Sequence, residues 1–170
     1  MVNDRHLAVA EGEGTMEKAI FAAGCFWRPE AIFTTVPGII ETEVGYTGGA
    51  LERPSYEQVC TGTTGHAESV QVTFDPAKVS YESLVEKFFA LHDPTQVNRQ
   101  GPDIGSEYRS AIFYLSPEQE RVARAVKERL DKSGQFVRPI ATAIESAKTF
   151  WRAEDFHQKF IDKYGWRCHI

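Results

Sequence analysis

The sequence lacks several features that define large classes of proteins. It has no apolar run long enough to cross a membrane, and residues 1–14 lack the apolar core of a secretory signal. Lysine and arginine form no long run and the formal net charge is -5, so there is no electrostatic footprint for nucleic acid or for an anionic membrane. We therefore expect a cytoplasmic protein that binds neither nucleic acid nor membranes.

Cysteine is also scarce. The chain has three cysteines, Cys25, Cys60 and Cys168, at wide spacings and with no Cys-x-x-Cys pair. No Cys/His cluster has the spacing of zinc ligands. Structural disulfides and a zinc site are therefore not expected, and the thiols should be free or reactive.

The composition predicts one folded domain. The chain has 170 residues, of which 42% are hydrophobic and 25% charged, enough to bury a full core. Residues 1–16 show no hydrophobic periodicity and are predicted to be a flexible arm. Residues 17–170 should form a single catalytic domain with a mobile tail from about residue 165. Nothing in the sequence indicates an obligate assembly, so we expect a monomer.

Hydrophobic periodicity predicts an α+β protein. The expected elements are strand 18–23, helix 26–33, strand 39–46, strand 66–74, helix 81–89, strand 108–115, a helix from 117 up to Gly134, strand 140–150 and a terminal helix around 156–164. Segments 50–65 and 95–107 are predicted loops. This order matches a ferredoxin-like split βαβ core extended by one αβ unit. We expect a two-layer sandwich, a mixed sheet with helices packed on it.

The segment Gly24-Cys25-Phe26-Trp27 directly follows the apolar run 19–23. A glycine at the end of a short strand places the thiol at a strand-to-helix turn, where backbone N–H groups and Arg28 favour a thiolate. Cys25 is therefore a candidate nucleophile, or else a buried cysteine that packs as a small hydrophobic residue. Phe26 and Trp27 are either walls of a substrate pocket or core residues. The spacing alone leaves these alternatives open.

Glu68 shares the parity of Val70, Val72 and Phe74 in a predicted strand, which places a carboxyl group on the core-facing side. Burial disfavours the charged carboxylate, so such a group must be paired or protonated. A neutral glutamic acid beside a reacting oxygen can act as a general acid. The alternative is a glutamate at a strand end that turns to solvent.

Polar residues near the two predicted loops are further candidates. Tyr56 and Tyr108 flank these loops and offer phenolic donors, although tyrosines at loop edges also serve as packing residues. Asp103 lies in a Gly-Pro-rich turn and is either catalytic or a turn former. Cys168 lies on the predicted mobile tail and has the freedom that a resolving cysteine needs. Cys60 carries no signal of mobility and is predicted to be structural.

Three histidines leave another chemistry open. His66, His92 and His157 are possible bases for a cysteine nucleophile, as in a Cys-His hydrolase or acyltransferase. Each histidine also has an ordinary structural interpretation, and no spacing links any of them to Cys25. A non-catalytic binding module with an aromatic pocket is another hypothesis.

A set of motifs resembles one family closely. The motifs are Gly24 to Trp27, Gly45 to Gly49, Tyr56 to Gly62, Gly65 to Glu68, His92 to Pro94, Gln100 to Ser110, and Ala153 to Gln158. In this order they are similar to peptide methionine sulfoxide reductases of the A class, over nearly the whole chain from Glu17 onward. The resemblance implies reduction of methionine S-sulfoxide, free or within proteins, by Cys25. The alternative of a non-catalytic module would then be one that binds methionine-like side chains in its aromatic pocket.

The resemblance also implies roles for other residues. Phe26 and Trp27 would hold the substrate methyl group. Four residues would form the subsite of the sulfoxide oxygen: Glu68, Tyr56, Tyr108 and Asp103. Two residues depart from the family pattern, since Arg28 replaces a small residue and Glu107 replaces glutamine.

The resemblance further implies how the enzyme is recycled. Loss of methionine would leave a sulfenic acid on Cys25, and condensation with Cys168 would form a disulfide. Thioredoxin, or dithiothreitol in vitro, would reduce that disulfide without a bound cofactor. Such an enzyme would serve protein repair and antioxidant defence.

Overall fold

A computed structural model of the protein describes residues 16–165. The predicted arm at residues 1–16 and the predicted tail from about residue 165 lie outside this range, apart from Met16 and Gly165. Cys168 also lies outside the described residues, so its predicted role stays a prediction. Within the described part of the chain, no helix is long and apolar enough to span a lipid bilayer.

The described residues form eight strands and five α-helices. The strands are β1 (Glu17–Ala23), β2 (Ile39–Thr47), β3 (Ala67–Phe74), β4 (Arg99–Gln100), β5 (Asp103–Ile104), β6 (Ser110–Tyr114), β7 (Ala143–Ser146) and β8 (Trp151–Arg152). The helices are α1 (Trp27–Phe33), α2 (Tyr56–Cys60), α3 (Tyr81–Ala90), α4 (Pro117–Lys132) and α5 (Phe160–Tyr164). Short 3₁₀ turns occur at Ser106–Tyr108 and Asp155–His157.

Six strands form one mixed sheet in the order β7-β6-β1-β3-β2-β8. β1 is antiparallel to both β3 and β6, and β2 is antiparallel to β3. With α1 and α3 as connections, these four strands are the predicted split βαβ core. α4 then crosses to β7, which pairs parallel to β6 and supplies the predicted αβ extension. The predicted fold class is confirmed.

The central strand β1 is buried on both faces, which explains its continuous apolar run. Phe21 belongs to the main core with residues of the three longer helices, and it stacks on Phe33 of α1 at 5.2 Å and on Phe88 of α3 at 5.3 Å. Ile20 faces a smaller cluster on the other side of the sheet, against which Phe150 packs. Each such aromatic contact contributes about 0.5–1.5 kcal/mol beyond area burial.

Side-chain caps fix the starts of the two longest helices. The Ser80 hydroxyl accepts from the Ser83 N–H at the start of α3, and the Ser116 hydroxyl accepts from the Gln119 N–H at the start of α4. Both starts were predicted from sequence. Each cap of this kind contributes about 1 kcal/mol.

Several predicted boundaries are wrong. The predicted loop 50–65 contains α2, whose capping box joins Ser55 and Gln58. The predicted strand 140–150 is β7 alone, because the chain then covers the second face of the sheet and joins the opposite edge as β8. The predicted loop 95–107 contains the β4–β5 hairpin. The terminal helix is shortened to α5, because Lys159 adopts a left-handed conformation with φ 55°.

Candidate active site

Cys25 lies at the turn between β1 and α1, as predicted. Gly24 makes this turn with φ 86°, a conformation that a side chain would strain. A Cβ atom at Gly24 would also lie 2.7 Å from Gln100 Cβ, so the turn packs tightly against β4. Cys25 is half-buried, and Phe26 is the N-cap residue of α1. The thiol is therefore accessible at one side and held by a rigid backbone.

Glu68, near the start of β3, is 1% exposed. This burial excludes the solvent-facing alternative. Its Oε1 accepts the Phe26 N–H at 3.3 Å, whereas Oε2 has no hydrogen-bond partner among the described residues. Burial, together with the charges of Asp103 and Glu107, raises the pKa of Glu68 to about 8, although the Phe26 N–H lowers it. Glu68 is therefore mostly protonated at pH 7 and has a free oxygen for donation.

Two tyrosines lie in the same electrostatic environment. Tyr56 begins α2 and Tyr108 ends a 3₁₀ turn, and both are half-buried. Burial raises the pKa of each phenol above its ordinary value, and the charge of Glu68 raises it further. Both hydroxyls therefore stay protonated and can donate hydrogen bonds at physiological pH.

Asp103 contributes to a cleft that opens beside Cys25. The cleft has a volume of about 190 Å³, and its lining includes Cys25, Arg28 and Asp103. The charge of Asp103 also acts on the pKa of Glu68. The structure therefore brings Asp103 to the site, at the start of the small hairpin strand β5.

An aromatic cluster surrounds the turn after Cys25, with His157 at its centre. The ring centroid of His157 lies 5.2 Å from Phe26, 5.6 Å from Trp27 and 4.4 Å from Tyr56. Phe26 is 1% exposed, and Trp27 is half-buried. Trp27 thus presents an apolar surface beside the turn at Cys25, with the buried Phe26 in the core and Tyr56 at the polar margin of the cluster.

His157 orients this cluster through one hydrogen bond. The Trp27 indole donates to His157 Nδ1 at 3.0 Å, so a neutral His157 carries its proton on Nε2. Nε2 is buried and has no hydrogen-bond partner among the described residues. Burial lowers the pKa of His157, although the charge of Glu154 opposes that effect. His157 is therefore a neutral acceptor for Trp27.

The other two candidate bases have structural partners. His66 Nδ1 accepts the Gly49 N–H at 3.1 Å, and its Nε2 lies 2.6 Å from the Leu51 carbonyl oxygen. The two ring nitrogens of His92 form hydrogen bonds with a carbonyl oxygen of α3 and with the Ser110 hydroxyl. Burial lowers the pKa of His92 to about 4. Because these hydrogen bonds occupy both nitrogens of each ring, the geometry gives no support to a Cys-His hydrolase that uses either residue.

Tyr46 and Glu154 belong to the site but were not predicted as site residues. Tyr46 is fully buried on β2, directly opposite Glu68 on β3. Its hydroxyl donates to Glu154 Oε1 at 2.8 Å, and Glu154 Oε2 accepts the Tyr56 N–H at 3.0 Å. Burial disfavours the charge of Glu154, but hydrogen bonds from backbone N–H groups and from Tyr46 hold its pKa below the usual value. Glu154 thus ties α2, which carries Tyr56, to the sheet.

Three further residues lie near the site. Cys60, predicted to be structural, is exposed at the end of α2 and shares a hydrogen bond with the Tyr56 side chain. Glu107 is 3% exposed, and burial raises its pKa. Arg28 is exposed and donates to the Leu91 carbonyl oxygen. Among residues 16–165 there is no cluster of three His, Cys, Asp or Glu side chains that could hold a metal ion.

Comparison with known proteins decides the family. The family described as peptide methionine sulfoxide reductase matches residues 17–170. The chain belongs to this family. The resemblance inferred from the motifs is thereby confirmed, as is the enzyme class, because members of the family are oxidoreductases that reduce methionine sulfoxide.

Curated relatives match over almost their whole length. The peptide methionine sulfoxide reductase MsrA of Methanoculleus marisnigri is 60% identical over 90% of this chain and 93% of its own. That of Geobacter sulfurreducens is 58% identical over 91% of this chain and 96% of its own.

Solved structures share the fold. Reduced Mxr1 from Saccharomyces cerevisiae superimposes with a TM-score of 0.84 at 36% identity, over 91% of this chain and 90% of that one. Methionine sulfoxide reductase A of Corynebacterium diphtheriae gives 0.80 at 35% identity, over 91% of this chain and 79% of that one. The described architecture is therefore that of the reductase family.

Proposed function

We propose that this protein reduces methionine S-sulfoxide, free or within proteins, with Cys25 as the nucleophile and Glu68 as the proton donor. One observation carries the proposal. The buried Glu68 carboxyl is held through Oε1 by the N–H of Phe26, the residue that follows Cys25, while Oε2 has no partner among the described residues. An uncharged acid with a free oxygen beside a half-buried thiol suits the transfer of an oxygen atom.

In the first step, the Cys25 thiolate attacks the sulfoxide sulfur. An S–S bond forms as the sulfoxide oxygen takes a proton from Glu68. The hydroxyl group then bonds to the Cys25 sulfur while its bond to the substrate sulfur and the S–S bond both break, which leaves a sulfenic acid on Cys25. Methionine leaves with its sulfur reduced by two electrons, Cys25 is oxidised by two, and Glu68 remains as a carboxylate. Proton donation to the oxygen matters because negative charge develops there as the bond breaks.

The remaining side chains position the substrate. Trp27, which is half-buried, would pack on the methyl group of the sulfoxide, and the buried Phe26 would complete the apolar environment of that group. Tyr56 and Tyr108 would donate to the sulfoxide oxygen, which the raised pKa values of both phenols support. Asp103 would take part in the same polar subsite.

The second half of the cycle regenerates the thiol. The Cys168 thiol would displace water from the Cys25 sulfenic acid and form a disulfide, which the dithiol of thioredoxin then reduces. Mxr1 from Saccharomyces cerevisiae has been solved in complex with Trx2, and it superimposes on this chain with a TM-score of 0.62 at 26% identity. We include thioredoxin as the reductant on this basis, and no bound cofactor takes part. A cytoplasmic location and a monomeric state stay predictions.

Three proteins test the mechanism. With dithiothreitol, the wild type should consume a peptide that contains the S-sulfoxide and leave the R epimer, whereas Cys25→Ser should consume neither. Cys168→Ser should release one methionine per protein and then fail to be recycled by thioredoxin. Consumption by Cys25→Ser at the wild-type rate would exclude Cys25 as the nucleophile. No consumption by the wild type would favour a binding module.

A further inference from the structure

The cleft beside Cys25 is lined by one cationic side chain, Arg28, to which the proposed reduction assigns no role. The volume of the cleft is about 190 Å³, and the cleft lies between the turn at Cys25 and the β4–β5 hairpin, which holds Gln100 and Asp103. A substrate whose sulfur reaches Cys25 must extend the rest of its amino acid away from the buried Glu68, toward open space. This cleft is an open space that the thiol itself borders.

Arg28 is the only cationic side chain that lines this cleft among the described residues. One guanidinium N–H group donates to the Leu91 carbonyl oxygen, which anchors the side chain at the end of α3. A guanidinium has five N–H donors, so the anchored group keeps others for an anion. Asp103 carries the opposite charge on the same cleft, so an anion must approach from the Arg28 side.

We propose that Arg28 binds a carboxylate of the substrate and makes the enzyme selective for methionine sulfoxides that carry one close to the sulfoxide. This inference rests on the proposed function and names the substrate class of the same site. The carboxylate is either the α-carboxylate of the amino acid or an acidic side chain next to it in a peptide. An internal methionine sulfoxide with neutral neighbours lacks both.

The expected preference is moderate. An exposed ion pair alone changes affinity by a factor of up to about five, and charge-assisted, two-pronged contacts of a guanidinium with a carboxylate add to that. Because the side chain is anchored at Leu91, less conformational freedom is lost on binding. We expect about five- to tenfold selectivity at low ionic strength, which falls at high salt.

The test compares substrates with dithiothreitol as the reductant, so that neither Cys168 nor thioredoxin limits turnover. The probes are N-acetyl-methionine S-sulfoxide, its neutral N-methylamide, and the amidated peptide in which glutamate follows the sulfoxide. The ratio of kcat/KM for each acid to that for the neutral amide should be about five to ten in the wild type. It should fall to about one in Arg28→Gln and be partly retained in Arg28→Lys.

The neutral amide separates binding from chemistry, because an effect of Arg28 on the thiol would lower all three rates equally and leave the ratio unchanged. Arg99→Gln is the matched control. Arg99 is an exposed arginine on β4, and its guanidinium donates to the Gly101 carbonyl oxygen. Because Arg99 does not line the cleft, the kcat/KM ratio should persist in Arg99→Gln.

The outcomes are distinct. Preference for only one of the two acids identifies the source of the carboxylate and supports the inference. A wild-type ratio of about one, or an unchanged ratio in Arg28→Gln, overturns it while the neutral amide is still reduced. Failure of the wild type to reduce any sulfoxide overturns the proposed function and this inference together.

Discussion

The indole N–H of Trp27 donates to Nδ1 of His157 at 3.0 Å, across 130 positions of sequence. The indole ring also stacks on Phe160 of α5, with ring centroids 3.8 Å apart and an interplanar angle of 9°. Two residues of the C-terminal segment therefore hold Trp27 in place. The apolar surface beside Cys25 depends on a part of the chain that is remote in sequence.

His157→Phe should loosen that surface. The substitution keeps a ring of similar size but leaves the Trp27 N–H without its acceptor, so we expect a loss of about 1–3 kcal/mol in unfolding free energy. KM for the sulfoxide should rise more than kcat falls. Urea unfolding and steady-state kinetics measure both effects. In a Trp27→Phe background, His157→Phe should cause a smaller loss in unfolding free energy. Strictly additive losses would show that the two side chains are not coupled.

Glu68→Gln should lower the rate by about 10²- to 10⁴-fold, because an amide cannot supply the proton. In the wild type, kcat/KM should fall as pH rises through about 8, the pKa to which burial raises Glu68. The residual activity of Glu68→Gln should lack that alkaline limb. Glu68→Asp keeps a carboxylic acid, so its kcat/KM should still fall on the alkaline side of the pH profile. A pH profile of Glu68→Gln identical in shape to the wild type would assign the limb to another group.

Stability should depend on pH through the same carboxyl. Because the folded pKa of Glu68 is raised from 4.5 to about 8, the folded state holds this proton more tightly than the unfolded state does. The contribution of the protonated group is therefore complete below about pH 4.5 and is lost as pH rises toward 8. Thermal unfolding across this range should show a smaller decline for Glu68→Gln than for the wild type. Equal declines would count against a buried neutral Glu68.

Cys60→Ser should leave both halves of the cycle intact. Partial desolvation of the thiol, together with nearby carboxylates, raises the pKa of Cys60, although the hydrogen bond with Tyr56 lowers it. At pH 7 Cys60 should therefore react slowly with iodoacetamide, and its labelling should accelerate with pH. Mass spectrometry of labelled peptides measures this directly. Loss of thioredoxin-dependent turnover in Cys60→Ser would instead make Cys60 a participant in recycling.

Glu30→Ala should destabilise the start of α5. The buried Glu30 carboxylate accepts the Lys159 N–H at 2.7 Å and the Thr42 hydroxyl at 2.9 Å, and it thereby holds Lys159 in its left-handed conformation. Removal should cost about 1–3 kcal/mol in unfolding free energy and slow thioredoxin-dependent turnover. Glu41→Ala, at an exposed position of β2, should change stability by less than about 0.5 kcal/mol. Equal effects of the two substitutions would contradict this role of Glu30.

The positions of Cys25 at a turn and of Glu68 on a buried strand face agree with the sequence prediction, because both carry local signals. Cys25 follows a glycine at the end of an apolar run, and Glu68 has the parity of an apolar strand face, so both positions follow from short-range patterns. Tyr46 and Glu154 gave no such signal, because their hydrogen bond joins residues 108 positions apart. The sequence indicates for His157 either a base or an ordinary structural role, since nothing local shows that Trp27 is its partner.

The wrong boundaries have a similar explanation. α2 has five residues and buries only Val59, so it leaves almost no periodic pattern. Segment 140–150 has the composition of a strand, but its end packs across the second face of the sheet, which only the tertiary structure determines. In segment 140–150, long-range packing therefore prevails over the local strand propensity.

The proposed reacting pair and the helix that precedes the proposed resolving cysteine are anchored with very different strength. Cys25 and Glu68 extend from β1 and β3, the two innermost strands of the six-stranded sheet. The chain that leads toward Cys168 passes instead through α5, a five-residue helix in which only Ile161 is buried. On mild heating the weakly held helix should fray first. A warmed sample would then act as a stoichiometric reagent, each molecule repairing one oxidised side chain and stopping, well before the protein melts.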